Sequence, residues 1–262
     1  MDLHLAGKVA VVTGASKGIG LAVARAFAEE GVSVVAGARE LTADLSQLTE
    51  RFPVHFVAGD LSIPDGPGHL VAEAIATLGG LDILVNNVGA IHPRLDGFLS
   101  ITDEDWNWGL TINFLGAVRT MRATLPHMLD RGAGAIVTIS SVNAFLPDPS
   151  IADYCAAKAA LSNVSKALSK EVGPHGIRVN TISPGPVATQ LWLGKDGVAT
   201  TIARASGSEP EKIAKHAAEQ MVTGRFTRPD EVADLALVLA SDRAGNVTGA
   251  DFVIDGGFIT TL

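Results

Sequence analysis

The chain has 262 residues, 47% of them apolar, a net charge of −8 and one cysteine. That length suits a single sizeable domain with its own core, and a lone cysteine excludes an internal disulfide and fits a reducing, cytoplasmic setting. An acidic balance without a basic cluster argues against nucleic acid as a partner; charges interrupt every apolar run before the ~18 residues of a membrane span, and MDLHLAGKVAVV lacks the pattern of a signal peptide.

The first apolar run, KVAVVTG (8–14), leads into Thr13-Gly14-Ala15-Ser16-Lys17-Gly18-Ile19-Gly20 and then the helical segment IGLAVARAFAEEG. Glycines let a backbone approach a phosphate, and a helix N-terminus offers it unpaired N–H groups. The spacing is G-xxx-G-x-G, so the generic G-x-G-x-x-G dinucleotide pattern fits only loosely. The second run, VSVVAG (32–37), ends without the acid that would hold the ribose 2′-hydroxyl of NAD. Arg39 stands there instead, and with Lys17 it offers two cations to a 2′-phosphate, so NADP(H) is expected ahead of NAD(H).

Further runs follow at VHFVAGD (54–60), LDILVNNVG (81–89), GAIVTISS (134–141), IRVNTISPG (177–185) and ADFVIDGG (250–257), separated by Ala-rich segments of helical period. The runs are continuously apolar, as in strands buried on both faces. Their alternation with helices predicts a single Rossmann-like doubly wound α/β domain of about seven parallel strands with helices on both faces. Ligands in such sheets bind beyond the carboxyl ends of the strands. The stretch 186–225 contains no strand pattern; a connection that long reads as a substrate-binding lid. The seven histidines are scattered and suggest no metal site.

The chemistry concentrates in SIADYCAAKAAL, which holds the only tyrosine and the only cysteine. Tyr154 and Lys158 are four apart and share a helix face. A free phenol with a pKa near ~10 is a poor base at neutral pH, and a lysine one turn away would favour its ionised form. Ser141, at the end of the fifth run, offers a hydroxyl to a substrate oxygen. Cys155 points about 100° away from Tyr154 and reads as a small buried hydrophobe.

Taken in order, TGASKGIG, NNVG, a serine thirteen residues before YCAAK, and SPG resemble the short-chain dehydrogenase/reductase family over nearly the whole chain. The resemblance implies Tyr154 as the group that exchanges a proton with the substrate oxygen. It also implies Lys158 as its partner and nicotinamide-ribose ligand, and Ser141, rather than Ser140, as the residue orienting the substrate. Asn113, in TINFLGA of the fourth helix, would complete a proton relay through water; an asparagine in an apolar helix interior independently asks for a reason.

The same resemblance puts Gly14, Ser16, Gly18, Ile19 and Gly20 on the pyrophosphate and Asp60 and Leu61 at adenine. It puts Asn87 and Gly89 beside the adenosine ribose, and Pro184, Gly185, Val187 and Thr189 near the nicotinamide. Val88 departs from the family's usual alanine, at a position of strand packing. Implied is a homotetramer that interconverts ketones and secondary alcohols, with contacts through the fourth and fifth helices and the last strand. Ile91, His92, Asn143, Phe145, Leu146, Val187, Leu191 and Trp192 would line the substrate site. A 3-oxoacyl-(acyl-carrier-protein) reductase is the alternative, needing a basic docking patch from Arg131, Lys170 and Arg178. A non-catalytic dinucleotide sensor is the remote one.

Overall fold

The computed structural model describes residues 2–261. Its strands are β1 (Val9–Thr13), β2 (Ser33–Ala38), β3 (Val54–Ala58), β4 (Ile83–Asn86), β5 (Gly134–Ile139), β6 (Ile177–Pro184) and β7 (Asp251–Ile254). All are parallel, in the order β3-β2-β1-β4-β5-β6-β7. Each of the apolar runs forms one strand, and the small polar residues at its end leave the sheet as a loop. The strand order reverses between β1 and β4, which opens a crevice at their carboxyl ends.

The helices are α1 (Gly18–Glu29), α2 (Ala43–Arg51), α3 (Gly66–Leu78), α4 (Asp103–Leu110), α5 (Gly116–Arg131), α6 (Ala152–Val172), α7 (Gln190–Leu193), α8 (Val198–Ser206), α9 (Pro210–Glu219) and α10 (Pro229–Ala240). Because successive strand residues point to opposite faces, the sheet separates two cores. Ala10, Val12, Val34 and Val137 pack with Phe27 of α1, Leu45 of α2 and Val232 of α10. Val11, Val35, Leu84 and Ile136 pack with Leu70 of α3, Met128 of α5 and Leu161 of α6. Burying both faces explains why the strands read as unbroken apolar runs.

The long segment 103–131, continuous in periodicity, is not one regular helix. Thr111–Leu115 form a π-helical turn between α4 and α5. Inside it the Asn113 side chain donates to the Gly109 carbonyl, four residues back, at 3.0 Å. Between 186 and 225 the chain forms α7, α8 and α9 with no strand; Val187 makes a single parallel bridge to Thr227. Trp192 packs against Phe226 with ring centroids 5.4 Å apart.

Candidate active site

The turn between β1 and α1 is built around glycine. Gly14 and Gly18 have φ of +67° and +57°, and a Cβ on Gly18 would sit 3.3 Å from the Thr189 methyl beyond β6. Gly20 has no room for a side chain at all, since a Cβ there would overlap the Gly14 carbonyl and the Asn87 amide. Asn87 holds this turn from the next loop, its Nδ2 donating to the Thr13 and Gly14 carbonyls at 2.9 and 3.3 Å. Thr13 accepts at its hydroxyl from the Asn87 N–H at 2.9 Å, and Thr42 donates to the Ser16 carbonyl at 2.7 Å. The result is a bare, pinned cradle at a helix N-terminus, the shape a pyrophosphate requires.

Lys17 and Arg39 are both exposed at the rim of this cradle. The Ser62 N–H bonded to Asp60 holds that carboxyl below the usual range, with a smaller contribution from the Arg39 cation. Arg39 and Asp60 follow the ends of β2 and β3, which are neighbouring strands. Leu61 is buried beside them. Gly185 packs on Asp255, where a Cβ would come within 2.8 Å of that residue's own Cβ, and Val187 is buried beneath the start of the 186–225 segment.

At the carboxyl ends of β4 and β5 a second cluster forms. Tyr154 and Lys158 are buried in α6, with the Lys158 Nζ 5.7 Å from the centroid of the Tyr154 ring and donating to the Ile139 carbonyl at 2.8 Å. Burial pushes the Tyr154 phenol up to about 12, against the downward pull of its hydrogen bond with Ser141. Burial pushes the Lys158 amine down to about 8. The expectation is that the Lys158 cation favours the phenolate; in the fold, burial raises the phenol and lowers the amine.

Ser141 donates to Asn143 Oδ1 and accepts from the Asn143 N–H, both at 3.2 Å, and its hydroxyl lies by the Tyr154 phenol, whose pKa it pulls down. Ser140 turns away, bonding Ser162 Oγ at 2.7 Å and the Lys158 carbonyl at 3.3 Å, so of the two serines Ser141 reaches Tyr154. Asn113 is fully buried; it accepts from the Ala90 N–H at 2.9 Å and donates to the Ala90 carbonyl at 3.0 Å. Gly89 fits between them, a Cβ there lying 3.3 Å from Asn113 Oδ1 and 3.4 Å from Lys158 Nζ. Cys155 instead faces Asp148, donating to its carbonyl at 3.6 Å, and burial raises its thiol pKa.

Of the residues expected to line the substrate site, Phe145, Leu146 and Leu191 are exposed. The His92 ring lies flat on Trp108, centroids 3.9 Å apart and planes 4° from parallel. Sequence reasoning missed that stack, the π-turn and an ion cluster around Arg94; a glycine and an asparagine four apart in a helix were the available sign of the second. Two surface cavities of about 410 and 400 Å³ lie elsewhere, between the start of α3 and α5 and between α6 and the β6–β7 edge. Among the described residues no cluster of three metal-ligand side chains occurs, and no helix is long and apolar enough to cross a membrane.

Residues 14–259 match the family model described as enoyl-(acyl carrier protein) reductase. The D-threitol dehydrogenase of Mycolicibacterium smegmatis is 38% identical across 98% of this chain and 95% of its own length. The chain belongs to the short-chain dehydrogenase/reductase family. A second short-chain relative, the 2,5-dichloro-2,5-cyclohexadiene-1,4-diol dehydrogenase LinX of Sphingobium indicum, is 35% identical, with 98% of each chain covered. The crystal structure of L-sorbose reductase from Gluconobacter frateurii complexed with NADPH and L-sorbose superposes with a TM-score of 0.92 at 36% identity, covering 100% of both chains. As a short-chain dehydrogenase/reductase, the protein is an oxidoreductase acting on alcohol or carbonyl groups with NAD(P).

Proposed function

We propose that this enzyme reduces a hydroxylated ketone with NADPH, and oxidises the matching secondary alcohol in reverse, using Tyr154 as the general acid and base. The observation that carries this reading is the convergence of Ser141, Tyr154, Lys158 and Asn113 at one end of the sheet, beside a glycine cradle closed by Thr189. Sugars and polyols are favoured as substrates because the relatives include a sorbose reductase and a threitol dehydrogenase.

Gly14, Ser16, Gly18, Ile19 and Gly20 would hold the pyrophosphate, and Lys17 and Arg39 the 2′-phosphate. Asp60 and Leu61 would flank adenine, Asn87 and Gly89 the adenosine ribose, and Pro184, Gly185, Val187 and Thr189 the nicotinamide. When bound, the nicotinamide supplies the hydride for reduction and takes it up in oxidation.

With its pKa near 12 the resting phenol is protonated, the state that carbonyl reduction consumes. Tyr154 gives that proton to the carbonyl oxygen, and Ser141 orients the same oxygen by turning its hydroxyl from Asn143 to the substrate. Lys158 recharges Tyr154 and binds the nicotinamide ribose, and Asn113 links the lysine to solvent through water. The 186–225 segment, with α7 tied back by Trp192, acts as the lid over the substrate.

Two members of the docking patch that the carrier-protein alternative needs already have partners within the chain, which speaks against that reading. Arg131 is paired with Asp82 at 2.7 Å, and Arg178 donates to the Leu239, Ala240 and Ser241 carbonyls.

The test is a panel of L-sorbose and other ketoses with NADPH or NADH, and threitol with NADP⁺ or NAD⁺, followed by absorbance of the reduced cofactor. The expected result is turnover of at least one pair, with kcat/KM for NADPH at least about tenfold above that for NADH, worth about 1.4 kcal/mol. No turnover across the panel, together with cofactor binding, would favour a dinucleotide sensor, and equal use of both cofactors would remove the role given to Lys17 and Arg39.

A further inference from the structure

The catalytic helix α6 begins without a side-chain cap, Ile151 standing at its N-cap. Its first turn is held from outside. The Arg94 guanidinium donates through Nη1 to Asp105 Oδ1 at 2.7 Å and through Nη2 to Asp153 Oδ2 at 3.0 Å. The Arg94 N–H also donates to the Ser150 carbonyl at 2.6 Å, gripping the turn that enters α6. Asp153 immediately precedes Tyr154, and its side chain is only 2% exposed. A Cβ on Gly109 would lie 2.9 Å from Asp153 Oδ2, so only glycine lets α4 close on this carboxylate.

The other end of the same short loop is fixed too. Ala90 is bonded by Asn113 at both its N–H and its carbonyl, and Gly89 lies against Lys158. The stretch 90–94 thus spans from the lysine end of the site to the tyrosine end, with His92 stacked on Trp108 between. The ion cluster is poorly satisfied for one so buried: Asp153 Oδ1 and Arg94 Nε have no hydrogen-bond partner. A buried pair of that kind is weak support for stability, because desolvation offsets the attraction, yet losing one partner strands a charge. Its geometry suits a different task.

We propose that Arg94 is a positioning residue, which acts through Asp153 to hold the Tyr154 hydroxyl in line with the carbonyl bound against the 90–94 wall. The inference rests on the reading of Tyr154 as the general acid and base. Misplacing such a group by about 1 Å costs on the order of 100-fold in rate, while the dinucleotide cradle, on the other side of the crevice, is left intact.

The test compares Arg94→Met, Arg94→Lys, the double variant Arg94→Met/Asp153→Asn, and Tyr154→Phe. Each is measured for kcat and KM with L-sorbose (or the ketose turned over fastest in the panel above), NADPH affinity by fluorescence, thermal stability, and the solvent deuterium isotope effect on kcat. In Arg94→Met, kcat is expected to fall about 100-fold with a larger isotope effect, while NADPH affinity changes less than about threefold. Arg94→Lys keeps the charge but not the fork, and is expected to lose about tenfold in kcat while remaining folded. The double variant, which removes the buried Asp153 charge together with its partner, is expected to regain stability without regaining kcat. Wild-type kcat in the double variant or in Arg94→Lys would overturn the inference. So would losses of kcat and NADPH affinity that run parallel to the loss of stability. Tyr154→Phe separates the two readings: if it stays active, the tyrosine assignment itself falls and this inference with it; if it is inactive, the Arg94 outcomes stand on their own.

Discussion

Tyr154 and Cys155 are neighbours in sequence with opposite surroundings. The phenol meets Ser141 and lies within 5.7 Å of the Lys158 amine, whereas the thiol faces the Asp148 main chain. Tyr154→Phe should lower kcat by about 10²–10⁴, the usual worth of a positioned acid or base, with NADPH binding intact. Cys155→Ala should leave kcat within about twofold; a dead cysteine variant in the same assay would require the assignment to be redrawn. Helical spacing puts Tyr154 and Lys158 on one face, and the family resemblance adds Ser141. A four-residue interval gives proximity but not burial, and burial governs both pKa directions here.

Among the elements, the β1–α1 turn was legible because its demands are local: positive φ and absent side chains require glycine at fixed offsets. Gly20 shows the tightest requirement. Gly20→Ala would force the turn off the Gly14 carbonyl and the Asn87 amide. The expected outcome is a stability loss of about 1–3 kcal/mol by denaturant titration, and NADPH affinity weakened at least about tenfold in fluorescence titration. Asn87 has a clearer part here than the ribose contact expected of it, since its amide is committed to pinning the turn. The π-turn at Thr111–Leu115 could not be read from periodicity, which changes too little over five residues to register. Its cause, the Asn113 side chain bonded to both Gly109 and Ala90, depends on a loop 23 residues away.

At the scale of the whole molecule, the strand order gathers the loops after β1, β4, β5 and β6 at one edge, and buries Lys158 and Tyr154 behind them. Their shifted ionisation then appears in global stability. Between pH 8 and about 10 the unfolded chain holds a Lys158 proton (ordinary value 10.5) that the folded chain has released. Stability of the cofactor-free protein should therefore rise with pH there, by up to about 1.4 kcal/mol per unit. Above the ordinary tyrosine value of 10.0 the folded chain retains the Tyr154 proton until about 12, so stability should fall again. Denaturant unfolding from pH 7.5 to 11 checks this. The rise should vanish in Lys158→Met and the fall in Tyr154→Phe; a profile unchanged in both would show that neither group is buried in solution.

The sequence by itself determined the seven strands, the two-faced sheet, the glycine cradle and the Ser141, Tyr154 and Lys158 spacing, because periodicity, backbone conformational needs and helical offsets are written within a few residues of one another. Only the tertiary structure decided how Ser140 is engaged instead, which way the buried groups titrate, and that Arg94 joins Asp105 to Asp153. That last contact spans 59 residues. A partner at such a distance leaves no periodic mark, and the desolvation that gives the ion pair its character exists only once the chain has closed around it.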